Sequence, residues 1–118
     1  MFINTLGEES QQSIGNLINV GFGRTSPEKT DWIDYATGGG IYVTVDTSSA
    51  GFINTPLYFT SIGGVSYHWT VTGGSAIYQP TNKSFRIYVR RPDAVSEITV
   101  EAMRIGKWHI NWVGIETR

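Results

Sequence analysis

Phe85, Ile87 and Val89 alternate without a break against Arg86, Tyr88 and Arg90, and this period of two leaves the chain few folds to choose from. Successive side chains of a strand point to opposite faces, so a strict apolar/polar alternation puts one row into a core and the other outside it. Ile41, Val43 and Val45 repeat the pattern against Tyr42, Thr44 and Asp46. Two such strands predict an antiparallel sheet with one buried face. The outer rows carry tyrosine and arginine where an ordinary solvated strand would carry Lys, Glu and Thr.

Turn signals punctuate the rest of the chain at short intervals. The Gly38-Gly39-Gly40 run precedes the first of these strands, and Thr47-Ser48-Ser49-Ala50-Gly51 follows it. Pro56 has no N–H to give a ladder, so the next strand is predicted to start at Leu57 and to stop at Gly63-Gly64. Tyr67 to Thr72 alternates Tyr67, Trp69 and Val71 with His68, Thr70 and Thr72, which predicts a further strand turning at Gly73-Gly74 into Ala76-Ile77-Tyr78. Residues 99–106 fit either a strand or a short helical turn with Thr99 as N-cap and Gly106 just past its end. Lys107 to Glu116 reads as the last strand, with Trp108, Ile110 and Trp112 on one side and His109, Asn111 and Val113 on the other. Short strands with no long amphipathic helix predict an all-β protein, a sandwich or a barrel.

At 118 residues there is material for one core. Residues 1–30 are the least regular stretch and read as an N-terminal arm with an edge strand or two, leaving 31–118 as the β-domain. Only 16% of the residues are charged, below the usual quarter or so. Surface is therefore left to Ser, Thr, Asn, Gly and aromatic groups, as in adhesive or oligomeric β-proteins. A formal net charge of -1 gives no field to recruit nucleic acid or an anionic membrane. The absence of cysteine excludes disulfides, thiol catalysis and Cys-based zinc sites. The first residues lack a basic region followed by an apolar one, and no run approaches the roughly eighteen apolar residues of a spanning helix. The expectation is a soluble chain without a standard export signal or membrane insertion.

The order and spacing of Gly40 to Val45, Thr55 to Ile62, Ser84 to Val89 and Ile110 to Glu116 resemble those of H-type lectins. The resemblance spans residues 40–116. Phe85 matches that family's mid-domain Phe and Trp112 its final-strand Trp. The family's sugar-contacting Arg, Trp–His pair and Tyr do not align one for one. His68 and Trp69 fall roughly where the Arg would be, and Gly106 near the Tyr. The resemblance implies a six-stranded antiparallel β-sandwich forming homotrimers. It also implies recognition of monosaccharide units, of N-acetylgalactosamine or galactose type, at clefts near subunit boundaries. Related domains occur in bacterial and phage adhesive proteins.

A sugar offers C–H faces and hydroxyl edges, so its site needs an aromatic platform and hydrogen-bonding side chains beside it. Trp69 with His68, and Trp108 with His109 and Asn111, supply both parts, and Arg86 and Asp46 are further hydrogen-bonding candidates. The same residues also fit plain roles: tryptophans packed in a core or between subunits, histidines at sheet edges, arginines in cross-strand ion pairs and Asp46 in a turn. The outward Arg86, Tyr88 and Arg90 row suits a subunit axis or a ligand groove, and equally a plain strand face with cross-strand ion pairs.

Catalytic and metal patterns are thin. No Gly-x-Ser-x-Gly elbow is present, and Glu97 with Glu101 would lie on a solvent-facing stretch rather than in a glycosidase cleft. His68 and His109 lack closely spaced co-ligands, and Asp31 with Asp34 falls short of a calcium loop. The sequence thus predicts a non-enzymatic, cofactor-free and metal-free lectin acting by multivalency, with a structural or receptor-binding tip module of a fibre as the alternative.

Overall fold

The computed structural model describes residues 17–35, 39–92 and 100–118. Among them lie six strands, β1 (Ile18–Arg24), β2 (Ile33–Tyr35), β3 (Gly40–Asp46), β4 (Leu57–Gly63), β5 (Ser84–Val89) and β6 (His109–Thr117), and one short helix, α1 (Val100–Gly106). The strands form two antiparallel three-stranded sheets, sheet I in the order β1-β6-β4 and sheet II in the order β2-β3-β5. The all-β class is the one the alternation predicts, and β4 starts at Leu57 and ends at Gly63, as Pro56 and the glycine pair require. β1 pairs with β6 along its whole length and forms one edge of sheet I. No helix among the described residues is long and apolar enough to cross a membrane.

The core follows from the period of two. Ile41, Val43 and Val45 of β3 sit opposite Val89, Ile87 and Phe85 of β5, and all six are buried. Sheet I contributes Ile110 and Trp112 from β6 and Tyr58 from β4. The Tyr58 ring lies 4.5 Å from that of Phe85 and also meets Phe52 and Trp112 edge-on, so rings from both sheets share one apolar cluster. Trp32 and Trp108 complete it and are tied together, the Trp32 indole N–H donating to the Trp108 carbonyl at 2.8 Å.

β1 shows how the register is fixed. Its inner row is Asn19, Gly21 and Gly23, because a Cβ on Gly21 would lie 2.5 Å from the Ala50 Cβ and one on Gly23 would press on the Trp112 ring. Its apolar row, Ile18, Val20 and Phe22, therefore faces outward. Across sheet I this produces the rows Val20, Ile115, Leu57 and Phe22, Val113, Phe59, two uncharged bands three strands wide on the outer surface. Phe22 is 81% exposed, and Val20, Leu57 and Phe59 are exposed as well.

Two expectations are corrected. Residues 67–72 do not form a strand: His68–Thr70 is a 3-10 turn entered through Tyr67 at a left-handed φ of 64°, and only Thr72 reaches β5, pairing with Arg90. The alternation there reflects a loop whose aromatic side chains face water, not a pleat. Residues 100–106 take the helical option, but the left-handed position after the helix belongs to Lys107 (φ 55°) rather than Gly106. Gly106 answers a different demand, since a Cβ there would sit 2.5 Å from the Trp108 indole nitrogen. Thr99, Glu97 and the first sixteen residues lie outside the described residues.

Candidate functional site

The outer face of sheet II is built around Tyr88. β5 sends Arg86 and Tyr88 outward, with Arg90 just past its end, β3 sends Tyr42, Thr44 and Asp46, and β2 adds Tyr35. The Tyr88 ring stands 5.0 Å from Tyr35, 5.4 Å from Tyr42 and 5.2 Å from Tyr78, the contacts with Tyr35 and Tyr78 being edge-on. Aromatic quadrupoles favour such arrangements, so the four rings hold one another in place. Arg86 is locked among them: its guanidinium carbon lies 4.6 Å from the centre of the Tyr42 ring, its Nε donates to Thr44 Oγ1 at 3.2 Å and its Nη1 to the Tyr88 hydroxyl at 3.3 Å. The bond to Tyr88 and the field of the two phenols hold the Arg86 guanidinium above its ordinary pKa, although burial opposes this.

A cleft opens beside this cluster because the free edge of β5 is covered imperfectly. Thr72 pairs with Arg90 and Tyr78 with Arg86, so residues 73–77 must span a distance that residues 87–89 cover on β5. Two surplus residues bulge outward, and bulges at sheet edges re-aim side chains in this way. Gly73 makes the bend possible. It adopts a φ of 105°, and its Cα approaches the Tyr88 carbonyl so closely that a Cβ would collide with the oxygen. The resulting cavity, about 590 Å³, is lined by Tyr35, Tyr78, Tyr88, Thr72, Gly73 and Arg90, with Ala76 and Val89. That volume lies within the range of small-molecule sites.

The residues singled out from sequence do not converge on one point. Arg86 belongs to the tyrosine cluster. Asp46 stands at the far end of the same outer face, opposite Ser84, where the Ser48 hydroxyl and N–H hold its carboxylate below the ordinary value. Trp69 is 83% exposed on its 3-10 turn, a free aromatic platform. His68 beside it is half-buried, and its Nδ1 has no hydrogen-bond partner among the described residues. Trp108 is a correction: only 4% of it is exposed, its indole N–H donates to the Ser66 carbonyl at 2.7 Å, and neither ring face is open to a sugar. His109 is buried too, with Nδ1 2.9 Å from the Lys107 carbonyl, which identifies Nδ1 as the nitrogen carrying the proton. Asn111 donates to Ser61 Oγ at 3.3 Å on the outer surface of sheet I, next to the apolar bands.

Tyr35 and Tyr78 were not among the sequence candidates. Tyr88 was legible from alternation alone, but nothing in the sequence sets the register that brings β2 and the 73–77 bulge to its two sides. Among the described residues no three His, Asp or Glu side chains converge where a metal ion could be held. Compared with known protein families, curated proteins and solved structures, the chain gives no match.

Proposed function

We propose that this chain is a non-catalytic carbohydrate-binding protein, an H-type-lectin-like six-stranded sandwich that assembles as a homotrimer and holds a monosaccharide unit of a displayed glycan. The observation that carries this reading is the tyrosine-lined cleft over β5. Tyr78 and Tyr88 offer ring faces to the C–H side of a pyranose, while three phenol hydroxyls, Arg90 and the Thr72 hydroxyl surround the polar edge. Trp69, His68, Arg86 and Asp46 remain in the proposal as contacts for neighbouring sugar units, and Asn111, on sheet I, as a contact at a subunit edge. The cleft is shallow and its single-site affinity weak, so trimer multivalency supplies the avidity on a dense glycan surface.

The trimer has its own support in the outer bands of sheet I. An uncharged surface formed by Val20, Phe22, Leu57, Phe59, Val113 and Ile115 is more apolar than a monomer ordinarily leaves in water. The same bands favour a second reading, a structural or receptor-binding module of a fibre that assembles without binding sugar. A glycan array at high protein density separates the two. Binding that disappears in Tyr78→Ala while the solution mass is unchanged supports the lectin; silence on every glycan by an intact oligomer supports the module.

A further inference from the structure

We infer that the cleft over β5 selects saccharides bearing a carboxylate, such as uronic or sialic acid units, in preference to neutral sugars. This rests on the cleft being the sugar site, and it departs from the neutral sugar that the resemblance to H-type lectins implies. Among the described residues that line the cleft, the one charged side chain is positive. Arg90 lines it directly, and Arg86 stands behind Tyr88. The ion pairs among the described residues join Arg104 to Glu101, Lys107 to Glu28 and Arg118 to Glu116, and none of them uses Arg90. Its backbone makes the bridge to Thr72, and its exposed guanidinium, which has no hydrogen bond or ion pair among the described residues, is a two-pronged donor for a carboxylate. The only carboxylate on the outer rows of β3 and β5 is Asp46, which accepts from Ser48.

The Arg86 contact adds direction to this charge. An arginine cannot accept, so in the Arg86–Tyr88 bond the phenol oxygen is the acceptor and its own proton is left over. Tyr88, which lines the cleft together with Arg90, therefore keeps its own proton to donate. A donating phenol beside a guanidinium matches an oxyanion better than a hydroxyl, which must donate as well as accept. One directly facing cation fits the single negative charge of a carboxylate, and the tyrosine faces remain for the pyranose ring.

The test is titration of the protein, in its solution oligomer, with matched oligosaccharides that differ only in a uronate or its neutral hexose. The expected result is affinity for the acidic ligand about tenfold above the neutral one, the scale of one charge-assisted bond pair at a partly open site. Arg90→Gln should erase that advantage, bringing the ratio of acidic to neutral affinity from about tenfold to about one. Its side chain is exposed, and its bridge to Thr72 is made by backbone, so the variant keeps its fold. Tyr88→Phe, which keeps the ring and removes the donor, should lower the acidic affinity more than the neutral one. Equal binding of both ligands by the unsubstituted protein overturns the inference but leaves the sugar site standing. Failure to bind either overturns both. An acidic preference that survives Arg90→Gln also overturns it, because the charge then acts elsewhere.

Discussion

Replacing Tyr58 with Phe should destabilise the protein by about 1–2 kcal/mol through a single buried hydroxyl, the loss expected for stranding one donor. Tyr58 comes from β4 of sheet I, and its phenol reaches Thr47, just after β3, and Thr81, just before β5. A carbonyl only accepts, so the Tyr58 O–H donates to Thr81 O at 2.7 Å, and the Thr47 hydroxyl, also at 2.7 Å, must donate to Tyr58. Burial lifts the phenol pKa, against the opposing effect of the Thr47 bond, so the donor is fully protonated at any working pH. Phe preserves the 4.5 Å contact with Phe85 but leaves the fully buried Thr47 hydroxyl without its partner. Thr81 is exposed, and water replaces its lost bond. Thr47→Val removes the same bond from the other side while Tyr58 still donates to Thr81, at a cost of about 0.5–1.5 kcal/mol. In the double variant no donor is stranded, so its loss should fall short of the two single losses added together by about 1 kcal/mol. Urea unfolding followed by fluorescence of the buried tryptophans gives all three numbers, with m unchanged. A Tyr58→Phe loss under about 0.5 kcal/mol, or additivity within that margin, would refute the chain of donors.

Three further outcomes follow from the same packing. Burial alone would raise the Glu116 carboxyl, but the Asn54 N–H, Arg118, the Asn19 amide and the Ile53 N–H outweigh it and hold the pKa below its ordinary 4.5. Its contribution to stability is thus complete above pH 4.5 and is lost as pH falls through the lower folded value; Glu116→Gln should be less stable at neutral pH and should show a flatter acid limb in pH-dependent unfolding. Phe22→Asp places a charge in the middle of the outer apolar band, and light scattering should show the proposed trimer reduced to monomer with unchanged circular dichroism; an undisturbed assembly would remove sheet I from the proposed interface. Gly73→Ala forces a side chain into a left-handed bend against the Tyr88 carbonyl, so thermal or urea unfolding should register a loss of about 1–3 kcal/mol, and sugar binding should weaken with it.

The parts of this fold that could be read from sequence are those where two neighbouring residues have opposite fates. Phe85 to Val89 and Ile41 to Val45 declare both strand and face, because burial on one side only is written as alternation. Pro56 marks the start of β4 for an equally local reason, its missing N–H. Tyr67 to Thr72 misleads because the same alternation arises in a loop when aromatic residues project into water, and no local signal distinguishes the two. For Trp108 the sequence leaves a core role and a sugar platform both open, since its burial depends on Trp32, seventy-six residues earlier, and on Gly106 making room for its indole. The cleft depends on longer-range facts still: the two-residue surplus between Thr72 and Tyr78 exists only relative to the register of β5. Arg86, Tyr88 and Arg90 were visible as an unusual outer row, whereas Tyr35 and Tyr78 gain their meaning from pairing.

The most direct test of sugar recognition at this cleft is a map of backbone amide shifts by heteronuclear NMR as saccharide is titrated in. The account predicts shifts concentrated at Tyr35, Thr72, Gly73, Tyr78, Tyr88 and Arg90, with sheet I silent. Shifts gathered instead around Asn111 and Phe59, or none at saturating saccharide, would contradict it.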